Sequence, residues 1–166
     1  MAHLRLRRSL PHPASVVSVR PISPGDKANP IVTIGFWAEH IVKLYRLEDL
    51  KQIGEITGLS HAPRSVLLWK FGAKNTSRLH ALIGTANGNL LIAKLDVKGP
   101  NLDVKTRRTL SLGTRPVDVQ DTGEHVIACG SRAIVLSWEE DREGIAYHRI
   151  STKVRPSFSS SACLIR

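Results

Sequence analysis

The stretch "ALIGTANGNLLIAKL", residues 81–95, decides the fold. An apolar run climbs to Gly84, reverses at Asn87-Gly88, and a second apolar run descends. Asn-Gly between two apolar runs is a strong hairpin signal. Two other stretches follow the same plan, "IVTIGFWAEHIVKLYRL" at 31–47 and "HVIACGSRAIVLSWEE" at 125–140. Their glycines, Gly35, Gly84 and Gly130, lie 49 and 46 residues apart. A glycine at such a strand end permits a bulge or a positive φ, and so a tight reversal.

Each hairpin is preceded by a proline and an apolar strand: "PASVVSV" at 13–19, "PRSVLLWKF" at 63–71 and "RPVDVQD" at 115–121. Proline suits a strand entrance, where its missing N–H is not needed. Each hairpin is followed by a fourth candidate strand: "KQIGEI" at 51–56, "LDVKTRRTLSL" at 102–112 and "GIAYHRI" at 144–150. "LEDLKQI" at 47–53 reads as a helical turn at most, because Gly54 and its β-branched neighbours oppose extension.

The unit is therefore four strands in about 50 residues, three times over, which is the signature of propeller blades. A two-sheet sandwich is the alternative, disfavoured by the regular spacing. The expected fold is all-β, a partial β-propeller of about three four-stranded blades whose ring does not close within the chain. The blades are expected at about 13–60, 61–113 and 114–154. Residues 1–12 form a basic lead-in expected to be poorly ordered, and 155–166 begin a further blade or a disordered tail. Propellers close with about 4–8 blades. Three leave strand edges and apolar faces open. Either the chain is a piece of a larger protein, or further blades or a partner chain complete it.

Composition bounds the rest. The chain has 166 residues, 42% hydrophobic and 23% charged, as in a globular protein. No apolar run reaches the roughly 18–20 residues of a membrane span, so no membrane partner is expected. "MAHLRLRRSLPHPASVV" lacks the apolar core of a secretory signal, and Asn75-Thr76-Ser77 then reads as a plain surface loop. Two cysteines make neither a disulfide scaffold nor a zinc pattern; a reducing compartment, cytosol or nucleus, is expected, with Cys129 as a small core residue. "CLIR" at the end resembles a prenylation box with a poor last residue, Arg166. The net charge is +10, from 24 Lys and Arg against 14 Asp and Glu. These residues are scattered and read first as solvated faces. The densest groups, Arg5, Arg7 and Arg8, and Lys105, Arg107 and Arg108, are the candidate nucleic-acid contacts under an alternative reading.

No catalytic set, metal site or cofactor site is expected. The seven histidines show no ligand pairing. His61 beside Ser60 is a loop neighbourhood rather than a triad. Gly84 and Gly88 sit in a hairpin, not in a phosphate loop between strand and helix. Glu139-Glu140-Asp141 beside Arg142 is a charged turn.

Five segments, "GFWAEHIVKLYRLEDL", "APRSVLLWKF", "ALIGTANGNLLIAKLD", "LSLGTRPVDV" and "VIACGSRAIVLS", follow one another in an order that resembles the middle propeller of the DNA damage-binding protein 1 family. Pro63–Leu67 and Leu112–Pro116 are the most specific matches. The resemblance covers about residues 12 to 150, and only a small part of the large three-propeller family protein. It implies a scaffold rather than an enzyme: an adaptor of cullin 4 ubiquitin ligases, acting in DNA repair and protein turnover. The implied partners are the cullin 4 scaffold and other ligase subunits, and the implied location is the nucleus, with the cytoplasm also open. The nearest cousins, the cleavage and polyadenylation factor large subunit and a splicing factor 3b subunit, imply the alternative, an RNA-processing segment that binds nucleic acid. The family's Gly-[Leu/Phe]-Trp falls on Gly35-Phe36-Trp37, so Trp37 and Phe36 are the implied cullin contacts. An acidic family position on the same face is Pro13 here, preceded by His12. That is a departure, as is the positive net charge.

Overall fold

The computed structural model describes residues 14–20, 30–71, 78–98, 100–123, 125–141 and 144–151. The lead-in, Pro13, the sequon, Arg142 and the tail lie outside them. All regular structure among the described residues is strand. The first sheet holds β1 (Ala14–Arg20), β2 (Ile31–Phe36), β3 (Ile41–Arg46) and β4 (Gln52–Ile56). The second holds β5 (Pro63–Phe71), β6 (Arg78–Thr85), β7 (Asn89–Lys98) and β8 (Asn101–Ser111). The third holds β9 (Asp118–Asp121), β10 (Val126–Cys129), β11 (Ala133–Glu139) and β12 (Gly144–Arg149). Each sheet is an antiparallel meander in chain order. Leu47–Asp49 is a turn without a helix.

The sheets fan rather than face each other as a sandwich. First strands meet first strands, β1 on β5 and β5 on β9, and β4 meets β8 at the periphery. Val16, Ser18, Ser65, Asp118 and Gln120, from β1, β5 and β9, line one open space of about 440 Å³. This is a partial β-propeller, with the first strands around the axis.

Alternation along the middle sheet supplies two cores. Val66, Leu68, Ala81, Ile83, Leu91, Ala93 and Leu95 pack against Val42, Leu44 and Ile56 of the first sheet. The intervening Leu67, Phe71, Leu82, Leu90 and Ile92 pack against Val119, Val126, Ala128, Ile134 and Leu136 of the third. A strand covered on both faces reads as a continuous apolar run, as β6 and β7 do.

The expected glycine role is met in one respect and corrected in another. Gly35 and Gly84 do lie opposite bulges, at the register shifts Ala14/Val16 and Pro63/Ser65. Neither they nor Gly130 has a positive φ; in the 85–89 turn that role falls to Gly88, at φ 87°. The loop is Ala86-Asn87-Gly88, closed by the Gly88 N–H donating to the Thr85 carbonyl at 3.3 Å. Gly84 is small for a different reason. A Cβ there would lie 2.1 Å from the Val117 carbonyl oxygen, where the chain enters the third sheet.

Cys129 is exposed, not a core residue. With a period of two, Val126 and Ala128 face the middle sheet, and Ile127 and Cys129 turn to the other face of the third sheet. Among the described residues no further sheet packs there.

Candidate functional site

Meander topology brings the β2–β3, β6–β7 and β10–β11 turns and the linkers between sheets to one end of the molecule. The linker Leu112–Pro116 is held to turns on both sides. The Leu112 N–H donates to the Gly88 carbonyl at 2.8 Å, and the Arg132 N–H donates to the Leu112 carbonyl at 2.9 Å. The Thr114 and Arg115 N–H groups donate to Ser131 Oγ at 3.1 and 3.2 Å. The Ser65 hydroxyl, within the Pro63–Leu67 run, donates to the Val117 carbonyl at 2.8 Å. Both of the most specific sequence runs are therefore inter-sheet joints, and their pattern has a structural cause.

Trp37 sits at this end, on the β2–β3 turn, and is 54% exposed. The turn reverses through His40, a non-glycine residue at φ 52°. Phe36, its neighbour, is 2% exposed. It packs with Val32, Ile34, Tyr45 and Ile41, and the Lys43 ammonium lies 5.6 Å from its ring centroid. Strand alternation buries Phe36, and the turn releases Trp37. The pair expected to act together is thus divided: Phe36 is corrected to a core residue and Trp37 alone faces solvent. Pro13 lies outside the described residues.

The basic candidates do not form one patch. Arg5, Arg7 and Arg8 lie outside the described residues. Lys105, Arg107 and Arg108 are exposed on the outer strand β8. Arg107 Nη1 donates to the Thr57 carbonyl, towards the first sheet. The Arg108 guanidinium stands 5.4 Å from the Tyr147 ring centroid, towards the third. Lys105 falls at the bulge between the Lys94–Thr106 and Leu95–Val104 pairs.

Sequence reasoning missed a cleft between the second and third sheets. It has a volume of about 350 Å³ and is lined by His80, Lys94, Thr106, Arg108, Trp138 and Ile145, among others. His80 pairs across with Lys94, and Lys94 with Thr106, making one row over β6, β7 and β8. His80 is 5% exposed and its Nδ1 lies 3.0 Å from the Arg78 carbonyl. With Nδ1–H donating there, Nε2 is the unprotonated nitrogen. Burial pushes the His80 pKa below the usual histidine value, and the charges of Lys94 and Arg78 act in the same direction against the backbone hydrogen bond. The Phe71 ring packs edge-on, 5.5 Å from the imidazole, and the Arg78 guanidinium lies 4.5 Å from the Trp138 ring centroid. In sequence His80 and Lys94 stand inside apolar runs 14 residues apart. Only their direct pairing in the sheet reveals the row.

Residues 9–164 match the family model described as the RSE1/DDB1/CPSF1 second beta-propeller. Over 132 residues, 76% of its length, the chain is 31% identical to DNA damage-binding protein 1b of Arabidopsis thaliana. It is 30% identical, over the same share, to DNA damage-binding protein 1 of Solanum lycopersicum and of Oryza sativa subsp. japonica. The matched stretch spans 12% of the length of each of these curated relatives.

Proposed function

The chain belongs to the RSE1/DDB1/CPSF1 second β-propeller family, and from that premise we propose that it is a protein-interaction scaffold that docks a cullin 4 ubiquitin ligase subunit in DNA repair. The observation that carries this reading is Trp37, a large aromatic 54% exposed on a turn between two paired strands. An aromatic held out from a rigid scaffold costs little entropy to bury and is a frequent energetic anchor in interfaces. The linkers tied to the neighbouring turns keep the surrounding surface in shape before a partner arrives, which lowers the ordering cost of association. A nuclear location accompanies this reading. The nucleic-acid alternative gains no support from β8, because Arg107 and Arg108 address opposite sides of it.

The test is a pull-down of the full chain with the purified N-terminal region of cullin 4. Capture by the parent chain and at least a tenfold loss with Trp37→Ala, the scale of a hot-spot residue, supports the assignment. A measured interaction that Trp37→Ala leaves unchanged removes Trp37 as the anchor. No capture by the parent chain removes the cullin reading.

A further inference from the structure

The geometry points to the cleft between the second and third sheets as a binding site for a phosphate monoester, held between Lys94 and Arg108 with the Thr106 hydroxyl and the His80 ring beside them. Nothing in the scaffold reading requires this cleft, and Trp37 belongs to the first sheet, at the turn end.

Three observations carry it. The first is the excess of positive charge among the described residues that line the cleft. His80, Lys94 and Thr106 form one row on a face otherwise packed with Leu82, Leu90 and Ile92. Arg108 adds a second cation opposite Ile92. Lys94, opposite Thr106, and Arg108, opposite Ile92, stand on one face in neighbouring rows, and like charges so close repel. Among the described residues no carboxylate lines the cleft, the nearest one beside Arg108 being Glu139 in the adjoining hollow, and no ion pair between described residues involves Lys94 or Arg108. Such an arrangement gains stability when an anion enters, through charge-assisted hydrogen bonds from an ammonium and a guanidinium.

The second is rigidity. The row is part of a paired sheet, not a loop. Its far wall is Trp138 and Ile145, which pack against the core between the sheets. The backbone that carries the cations is therefore fixed before a ligand arrives, which lowers the ordering cost of binding.

The third is size and the state of the aromatic rings. A cleft of about 350 Å³ suits a small ester group. Trp138 already carries Arg78 on its ring, and Tyr147 carries Arg108. A single-stranded nucleic acid needs ring faces on which bases stack, and these rings are engaged. The chemistry thus favours one compact dianion over a polynucleotide. Its source is either a phosphorylated side chain of a partner protein or a free small phosphate ester.

The test is calorimetric titration of the full chain with phenyl phosphate, with a short alanine-glycine peptide carrying one phosphothreonine, and with an oligothymidylate. We expect saturable binding of the first two, weakened about tenfold by Lys94→Met and by Arg108→Gln, the scale of one charged hydrogen bond. Lys105→Gln, outside the cleft lining, is expected to leave it unchanged. Arg108 is exposed, so its variant keeps the test alive if Lys94→Met disturbs the sheet. Tighter binding of the peptide marks a phosphoprotein as the source, and equal binding marks a small ester. No saturation by either phosphate ligand below roughly 10 mM overturns the site. So does binding that both variants leave intact, or tighter binding of the oligothymidylate. A failed cullin pull-down has no bearing on these results.

Discussion

Gly113 lies against Ser131: a Cβ on Gly113 would sit 2.3 Å from Ser131 Cβ, and the glycine itself is at φ 114°. Both facts bar any other residue from the joint between the second and third sheets. Gly113→Ala should cost more than about 2 kcal/mol, since it meets both backbone strain and a clash. Ser131→Ala leaves the backbone in place and removes the acceptor for the Thr114 and Arg115 N–H groups, which are exposed and can turn to water. It should cost about 1 kcal/mol or less. Urea denaturation of both variants checks the order, and an equal loss would contradict this account of the linker.

Neighbouring aromatics should separate cleanly. Phe36→Ala opens a cavity in the cluster with Val32, Ile34 and Tyr45 and should cost about 3–5 kcal/mol. Trp37→Ala should change stability by less than about 0.5 kcal/mol, as exposed substitutions do. Denaturant midpoints read both. A large loss at Trp37 would mean that the ring packs on the protein rather than waiting for a partner.

Thr33 is fully buried, and among the described residues its hydroxyl has no hydrogen-bond partner. Its neighbour across the strands is Leu44, part of the core between the first and second sheets. Thr33→Val keeps the shape and removes the desolvated hydroxyl, so it should raise stability by about 1 kcal/mol. A fall in the thermal midpoint would show that the hydroxyl does find a partner in solution.

His80 gives the stability a pH dependence of known sign. Its folded pKa is lowered from the unfolded value near 6.5 by burial, then by Lys94 and Arg78, while its bond to the Arg78 carbonyl opposes the shift. Between the folded and unfolded values the unfolded chain binds the extra proton, so stability rises with pH. The full contribution is present above about pH 6.5 and declines as pH falls from there towards the folded value. His80→Gln should flatten that part of the profile. Midpoints measured from pH 5 to 8 with the same slope in both proteins would rule His80 out as the cause.

Much of this architecture is a local property and was legible in the chain. An antiparallel meander pairs each strand with the next, so alternation, the Asn87-Gly88 turn and the proline at each entrance suffice to give twelve strands, their order and their grouping in fours. The Leu112–Pro116 run was legible as a motif, though its task as a joint was not.

What the tertiary structure decided is which face of each strand finds a neighbour. A period of two says that Arg107 and Arg108 point opposite ways, and the end of β2 at Phe36 puts Trp37 on a turn; neither says what stands beside the side chains. That depends on sheets meeting across separations such as the 58 residues between His80 and Trp138. The buried Phe36, the exposed Cys129, the parting of Arg107 from Arg108 and the row from His80 to Thr106 therefore emerge only when the sheets pack, because burial and charge are set by the surroundings of a side chain and not by its place in the chain.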